Sequence, residues 1–467
     1  ISVPQLDVSG FNTSKATTMS RMFNQMRIVE SLDLSSFDTS KVTDMKNMFQ
    51  RCELMTDLTF GENFKTGNVT DMSYMFSKCY GLTSIDVSDW DTSSLITGST
   101  MFNFCTGLKE LDVSKWNVSK LQDASYMFNE CSALTTLDVS NWNTSSCTNM
   151  SFMLCHCNSL QSVDVSKWDV SNVTSIESFI TQSTITSLDV SNWDTSSMTN
   201  VSFAFYNCDG LTELNFDNWD VSKVTNFDHF LAHCSNLANY DVSKWNVTSA
   251  CKNLYATFHS TKVASIDVTG WDVSNVIAFG QCFEAMTNLT EIKGLNTWNT
   301  SSGIDFPQMF SGCSKLKELD LSSFDTRKAK NDKTSVSTNG STATCTQYMF
   351  NGCRSLEKIT LGANFTFAGD GTAASSYYGT LPTPSATYID GADGNWYTEN
   401  DAIYAPAAVP NLTYAVYYAS PTVLDISIWE RDSKKYMHLS AMRKYHNMHN
   451  EEIDIKLDIL KESISEY

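Results

Sequence analysis

Residues Leu111–Leu134, LDVSKWNVSKLQDASYMFNECSAL, return with substitutions along most of the chain. Aligned on the aliphatic residue of the LDV phrase, the copies start at Leu6, Leu32, Leu58, Ile85, Leu111, Leu137, Val163, Leu188, Leu214, Tyr240, Ile266, Ile292, Leu319 and Ile359. The steps are 25 to 27 residues, with one step of 40 at the end. A fixed period of this length specifies like coils stacked on one another, because a single coil cannot bury its own apolar face. Residues 1–365 are therefore expected to form one elongated array of about 13 to 14 repeats, where length alone suggests roughly three domains.

Within a copy, Leu134, Leu137 and Val139 alternate with polar residues, which marks a short half-buried strand. An aromatic follows, Phe in the first copies and then nine tryptophans from Trp90 to Trp298, expected to end the strand and pack on its own copies. The next residue is Asp or Asn in nearly every copy, as in Asn143-Thr144-Ser145, with Lys65 the exception. Free exchange of Asp with Asn points to a backbone hydrogen bond in a turn or cap and not to charge. A second apolar set, Val42, Met45, Met48 and Phe49 in one copy, is spaced for one face of a short helix. Rungs about 4.8 Å apart would give a strand face roughly 65 Å long.

The pattern L-x-x-L-x-V-x-x-W resembles the leucine-rich repeat. The fuller phrase LDVSNWDTSSMTN at 188–200, with MFxxC closing many copies, resembles the BspA-like leucine-rich surface proteins of bacteria. That resemblance implies an α/β repeat solenoid, a right-handed coil of parallel strands and short helices. It also implies a secreted or surface-displayed, adhesin-like protein that binds a protein or glycan. The chain departs from the general pattern in placing Trp or Phe at the ladder Asn position, with the Asx residue one place later.

The repeat is interrupted at 327–345 by a Ser/Thr-rich insertion with four basic residues from Arg327 to Lys333. Residues 366–421 are rich in Gly, Pro and Tyr and are expected to cap the array as a β module. A sugar platform of Trp396, Tyr397 and Tyr404 is the alternative use of that module. Residues 422–467 form a charged segment expected to be helical, with a stripe of Ile453, Leu457, Leu460, Ile464 and Tyr467. A helix at 453–467 would offer a surface for self-association, though it is too short to hold strands together alone. His438, His446 and His449 in this tail lack a recognised ligand spacing.

A formal charge of −20 disfavours nucleic acid and anionic membrane as partners. No stretch reaches the roughly 18 apolar residues of a membrane span. Nine of the 14 cysteines share one column, including Cys52, Cys105, Cys131, Cys208 and Cys313, where Met or Ser substitutes in other copies; a buried thiol ladder is expected, with disulfides between rungs left open. No Gly-rich phosphate loop, nucleophile elbow or zinc spacing occurs, so no enzyme activity is expected.

The candidate ligand-binding surface is the strand face, with Asp86, Asp112, Asp138, Asp164, Asp189, Asp241 and Asp267 in a nearly constant column and Glu110, Glu213 and Glu291 in a varied one. Stacked carboxylates repel, so hydroxyl or amide donors from the adjacent rung are expected to satisfy the Asp column, or calcium to bind it. Specificity is expected in the varied column, since identical residues on every rung cannot mark a place. The alternative role is a structural spacer that packs against copies of itself.

Overall fold

The computed structural model describes residues 6–329, 346–368, 379–400 and 402–421, and the backbone of 428–431 and 434–437. Each repeat is one rung of a solenoid with two laddered walls. On the strand wall β1 (Ser31–Leu34) runs parallel to β2 (Asp57–Phe60), β3 (Ser265–Asp267) to β4 (Glu291–Lys293), and β5 (Glu318–Leu321) to β6 (Lys358–Leu361). The register joins Leu32 to Leu58, Ile266 to Ile292 and Leu319 to Ile359, one repeat apart in each case. Single parallel bridges such as Ser84 to Glu110 and Glu213 to Asn239 carry the same wall through the middle of the array.

The tryptophans stack as their period demands. Successive rings from Trp90 to Trp168 and from Trp193 to Trp298 lie 6.0 to 6.4 Å apart and within 15° of parallel. Trp116, Trp142, Trp168, Trp193 and Trp219 also donate their indole N–H to a valine carbonyl one rung back, at 3.0 to 3.2 Å. Phe23, Phe49, Phe76, Phe102 and Phe128 make a second stack, 5.3 to 5.9 Å apart. The Asx residue after the aromatic accepts from the amide two residues on, as Asn143 does from Ser145 at 3.1 Å. The adjacent Thr144 is buried and donates to the Asp169 carbonyl of the next rung at 2.9 Å.

The second wall corrects the expected short helix: no α-helix occurs among the described residues. Met45, Asn47, Phe49 and Arg51 donate their amides to Asp71, Ser73, Met75 and Ser77 of the next rung at 2.8 to 2.9 Å. The amides between them close tight turns, Met48 to Met45, Gln50 to Asn47 and Cys52 to Phe49. The reason is spacing: an α-helix about 10 Å wide can follow strands ~4.8 Å apart only where the array fans out on the helix side, and here the second wall is itself hydrogen-bonded from rung to rung, which holds it at strand spacing. Successive turns still place Met45, Met48, Phe49 and Cys52 in the core, which is why the apolar spacing imitates a helix.

Two positions per rung pay for this geometry with positive φ, Asn47 and Arg51 in one rung and Tyr126 and Glu130 in another. Apart from Leu412, every positive-φ residue that is not glycine falls in these two columns. Left-handed backbone costs a side-chain-bearing residue about 1–2 kcal/mol, more than glycine's excess chain entropy of about 0.5–1. Gln182, exposed at φ 56°, is accordingly expected to gain about 0.5–1 kcal/mol on replacement by glycine, read as a higher urea midpoint.

Beyond the last rung, β9 (Ala415–Tyr418) pairs antiparallel with β6 and with β7 (Trp396–Thr398), and β7 pairs with β8 (Ile403–Tyr404). This gives the sheet order β5-β6-β9-β7-β8 and covers the open edge of β6. The expected helical tail is also corrected. Its described part is an antiparallel pair, β10 (Ile428–Arg431) with β11 (Lys434–Met437), registering Trp429 with Tyr436 and Glu430 with Lys435. Ile428, Trp429 and Tyr436 are strand formers, and the lack of Gly and Pro turn residues hid that signal. The stripe at 453–467 and the three tail histidines lie outside the described residues.

Candidate functional site

The strand wall presents its candidate residues to solvent: Asp86, Glu110, Asp112, Asp138, Asp164, Asp189, Glu213, Asp241 and Glu291 are exposed and Asp267 is half-buried. The seven aspartates share one local job. Each accepts the amide of the residue two places on, Ser88, Ser114, Ser140, Ser166, Ser191, Ser243 or Thr269, at 2.8 to 3.2 Å. In the six serine cases the hydroxyl donates to the same carboxylate. The donors therefore come from the same turn and not from the adjacent rung, because the Ser of the LDVS phrase sits where an Asx turn closes. Hydrogen bonds from Ser114 hold Asp112 below the usual carboxylate range, and those from Ser166 and Thr269 do so for Asp164 and Asp267.

Glu110 and Glu213 are free of that duty. They occupy bridge positions, paired across to Ser84 and Asn239 through the backbone only. Glu291 lies 3.7 Å from Lys293, an exposed pair that contributes little to stability. The varied column is thus available to a partner in a way that the constant column is not.

The cysteine column is a ladder of thiols. Cys52, Cys79, Cys105, Cys131 and Cys157 each point their Sγ at a phenylalanine carbonyl about one rung back, at 3.1 to 3.2 Å. All described cysteines are free and buried, and burial pushes the thiols of Cys52, Cys105 and Cys157 up to about 12. Thiols so disfavoured from ionising are poor nucleophiles. Trp396 is fully buried, donates to the Pro382 carbonyl at 2.9 Å and belongs to the core of the terminal sheet, so it offers no open sugar platform. Tyr397 is buried beside it, and Tyr404 packs edge-on against Tyr417. Arg327 grips Asp325 through Nε and Nη2 at 3.0 and 2.7 Å, while residues 330–345 of the insertion lie outside the described part.

The second wall carries a cluster that the sequence reading passed over. His229 Nδ1 lies 2.6 Å from Asp228, the His233 and His259 rings are 4.4 Å apart, and His259 Nδ1 is 4.0 Å from Glu284. His156, three rungs before His233 in the same column, contacts Glu130 at 2.7 Å. Burial, then the nearby histidines, pushes His259 down to about 3, and burial pushes Glu284 up to about 7. A signal was present: His156 and His233 each stand directly before the cysteine column, at one of the two left-handed positions. Among the described residues no group of three or more His, Cys, Asp or Glu side chains is arranged to hold a metal ion, and no helix is long and apolar enough to cross a membrane.

Comparison with known proteins places the repeats. A family described as "Mycoplasma protein of unknown function, DUF285" matches residues 5–79, 54–163, 99–213, 150–265 and 252–363. No curated protein matches the chain. Among solved structures, a leucine-rich cell surface protein of Faecalibacterium prausnitzii is 18% identical, with a TM-score of 0.37 over 71% of this chain and 76% of that one. A leucine-rich repeat protein of Bacteroides ovatus is 19% identical, with a TM-score of 0.30 over 64% and 81%. The functional domain of InlJ from Listeria monocytogenes, which includes a cysteine ladder, is 17% identical with a TM-score of 0.16 over 66% and 73%. These superpositions are too loose to carry function, which has to be read from this chain's own surfaces.

Proposed function

The chain belongs to the DUF285 family, and from its exposed walls we propose that it is an extracellular or cell-surface recognition scaffold of the BspA-like, adhesin type, with no catalytic role. It binds a basic or polar protein or glycan along the strand wall. The observation that carries this reading is the division of labour on that wall. The Asp column is occupied by its own Asx turns, whereas Glu110, Glu213 and Glu291 vary from rung to rung and are exposed without a turn to maintain. A rigid core of stacked rings holds these side chains at fixed intervals, so little ordering entropy is lost when a partner binds. The net charge of −20 steers basic partners toward the surface.

The test is charge reversal. A partner captured from the native extracellular medium is expected to lose at least tenfold in affinity for the Glu110→Lys, Glu213→Lys, Glu291→Lys variant, with the melting temperature unchanged. Undiminished binding would remove the strand wall as the site.

A further inference from the structure

The outward side of the second wall changes character along the array. Its first rungs carry Arg21, Lys46, Arg51 and Lys78. From the rung at 99–104 to the rung at 307–312, the outward positions hold no lysine or arginine, in a chain that is 18% charged. These residues point away from the main core, yet only Gln182 among them is exposed and the rest are buried or half-buried.

The flatness has a cause. Rungs held at strand spacing let each outward side chain rest on its neighbour in the next rung. Asn129 donates to Asn103 at 2.7 Å, the Ser99 and Ser125 hydroxyls lie 2.9 Å apart, and Gln281 donates to Gln308 at 3.1 Å. Tyr126 stacks on Phe152 at 4.4 Å, and Phe203 on His229 at 4.6 Å. The acids of this stretch are answered in the same way. Glu130 meets His156 at 2.7 Å and Asp228 meets His229 at 2.6 Å. Glu177 accepts from Asn200 at 3.1 Å, and Glu284 accepts from Gln308 at 2.9 Å with His259 beside it. The result is a flat wall of little net charge on a molecule whose formal charge is −20.

We propose that this stretch of the second wall is an interface between two copies of the chain, packed wall to wall about a two-fold axis near Phe203 and Asn207. Charge selects the face. Two acidic molecules repel, and on the strand wall the exposed Asp column would meet its own copy, whereas the second wall brings neutral surface against neutral surface. A strongly charged partner of either sign finds no counter-charge here, while a second copy supplies the same flat surface, as an isologous contact requires. The composition is that of an interface core, without Lys or Arg and with Tyr126, Phe152, Phe203 and Tyr206. The area suffices: nine rungs at ~4.8 Å run roughly 40 Å, and six residues of chain span at most about 20 Å, so each copy can bury up to about 800 Å², the share of a standard interface. The side chains are already held by their neighbours, so little ordering entropy is lost on contact. This inference concerns the other face and does not depend on the strand-wall reading.

Sedimentation velocity of the full chain across concentration is the test, with dimer expected at a Kd on the order of 10 μM or tighter. Gln182→Glu with Asn207→Glu sets like charges opposite one another across the axis, and so does Gln182→Lys with Asn207→Lys. Both fit the fold, because the same column already holds Glu130 and Lys78. Each variant alone is expected to dimerise at least tenfold more weakly, and an equimolar mixture of the two is expected to recover the dimer. Melting temperatures establish that both are folded, and the Glu110, Glu213 and Glu291 reversals should leave the dimer in place. A wild-type chain that stays monomeric would overturn the proposal. So would a dimer that neither charged pair weakens, since it would be held by another surface, and so would a mixture that stays monomeric.

Discussion

Trp142→Ala is expected to cost about 3–5 kcal/mol, among the largest losses available to any single substitution in the array. The ring is buried between Trp116 and Trp168 at 6.3 and 6.4 Å, so alanine leaves a cavity that neighbouring rungs cannot close without losing their own register. Because each rung touches only its neighbours, the damage should be local and appear as faster amide exchange in the rungs on either side. A milder pair of substitutions separates area from hydrogen bonding. Trp142 Nε1 donates to the Val113 carbonyl at 3.1 Å, whereas Trp245, Trp271 and Trp298 bury an indole N–H without a partner. Trp142→Phe loses both area and a bond. Trp245→Phe loses area but removes an unsatisfied donor, whose burial costs about 1–3 kcal/mol. The second variant should therefore be the more stable of the two by about 1–3 kcal/mol in urea unfolding, and equal losses would show that the indole hydrogen bonds contribute nothing.

The same contrast shows what the sequence could reveal. The strand wall was readable because alternation at period two has one structural meaning once the repeat is aligned, and the Asx turns because Asp91, Asn117 and Asp169 exchange freely. The second wall was not, because a run of tight turns and a helix both bury Met45, Met48 and Phe49. Its left-handed positions would have been legible as glycines, but only the last rungs use them, at Gly312 and Gly352, and elsewhere they are residues such as Arg51, Tyr126 and His233. The constant Asp column looked functional because charge was visible and its turn was not; Ser114, two places after Asp112, was the clue.

Asp305→Asn is expected to stabilise the protein at neutral and alkaline pH, and the cause is a proline. On the second wall an Asx residue in most rungs accepts the amide two places on, as Asp71 does from Ser73 at 2.7 Å and Asn253 from Tyr255 at 2.8 Å. In the rung of Asp305 that place is Pro307, which has no N–H to give. Asp305 is left 2% exposed with Oδ2 unpartnered, and burial, then the charge of Asp228, pushes its pKa from 3.8 up to about 7. A raised folded-state pKa means the native protein holds a proton that the unfolded chain releases. The contribution is therefore harmless below pH 3.8, costs progressively more as pH rises to about 7, and is constant above that. The full cost is about 4 kcal/mol, from the shift at 1.36 kcal/mol per unit. Glu284, also raised to about 7 by burial, adds to the loss in the same direction. His259 opposes both: lowered to about 3, it costs stability as pH falls from 6.5 toward 3. Urea midpoints of wild type and Asp305→Asn should thus coincide near pH 4 and diverge through pH 7, with the variant higher. Pro307→Ala tests the cause directly. By restoring the missing amide it should lower the Asp305 pKa and recover much of the same gain while keeping the carboxylate, and a divergence unchanged by the new N–H would show that the proline is not responsible.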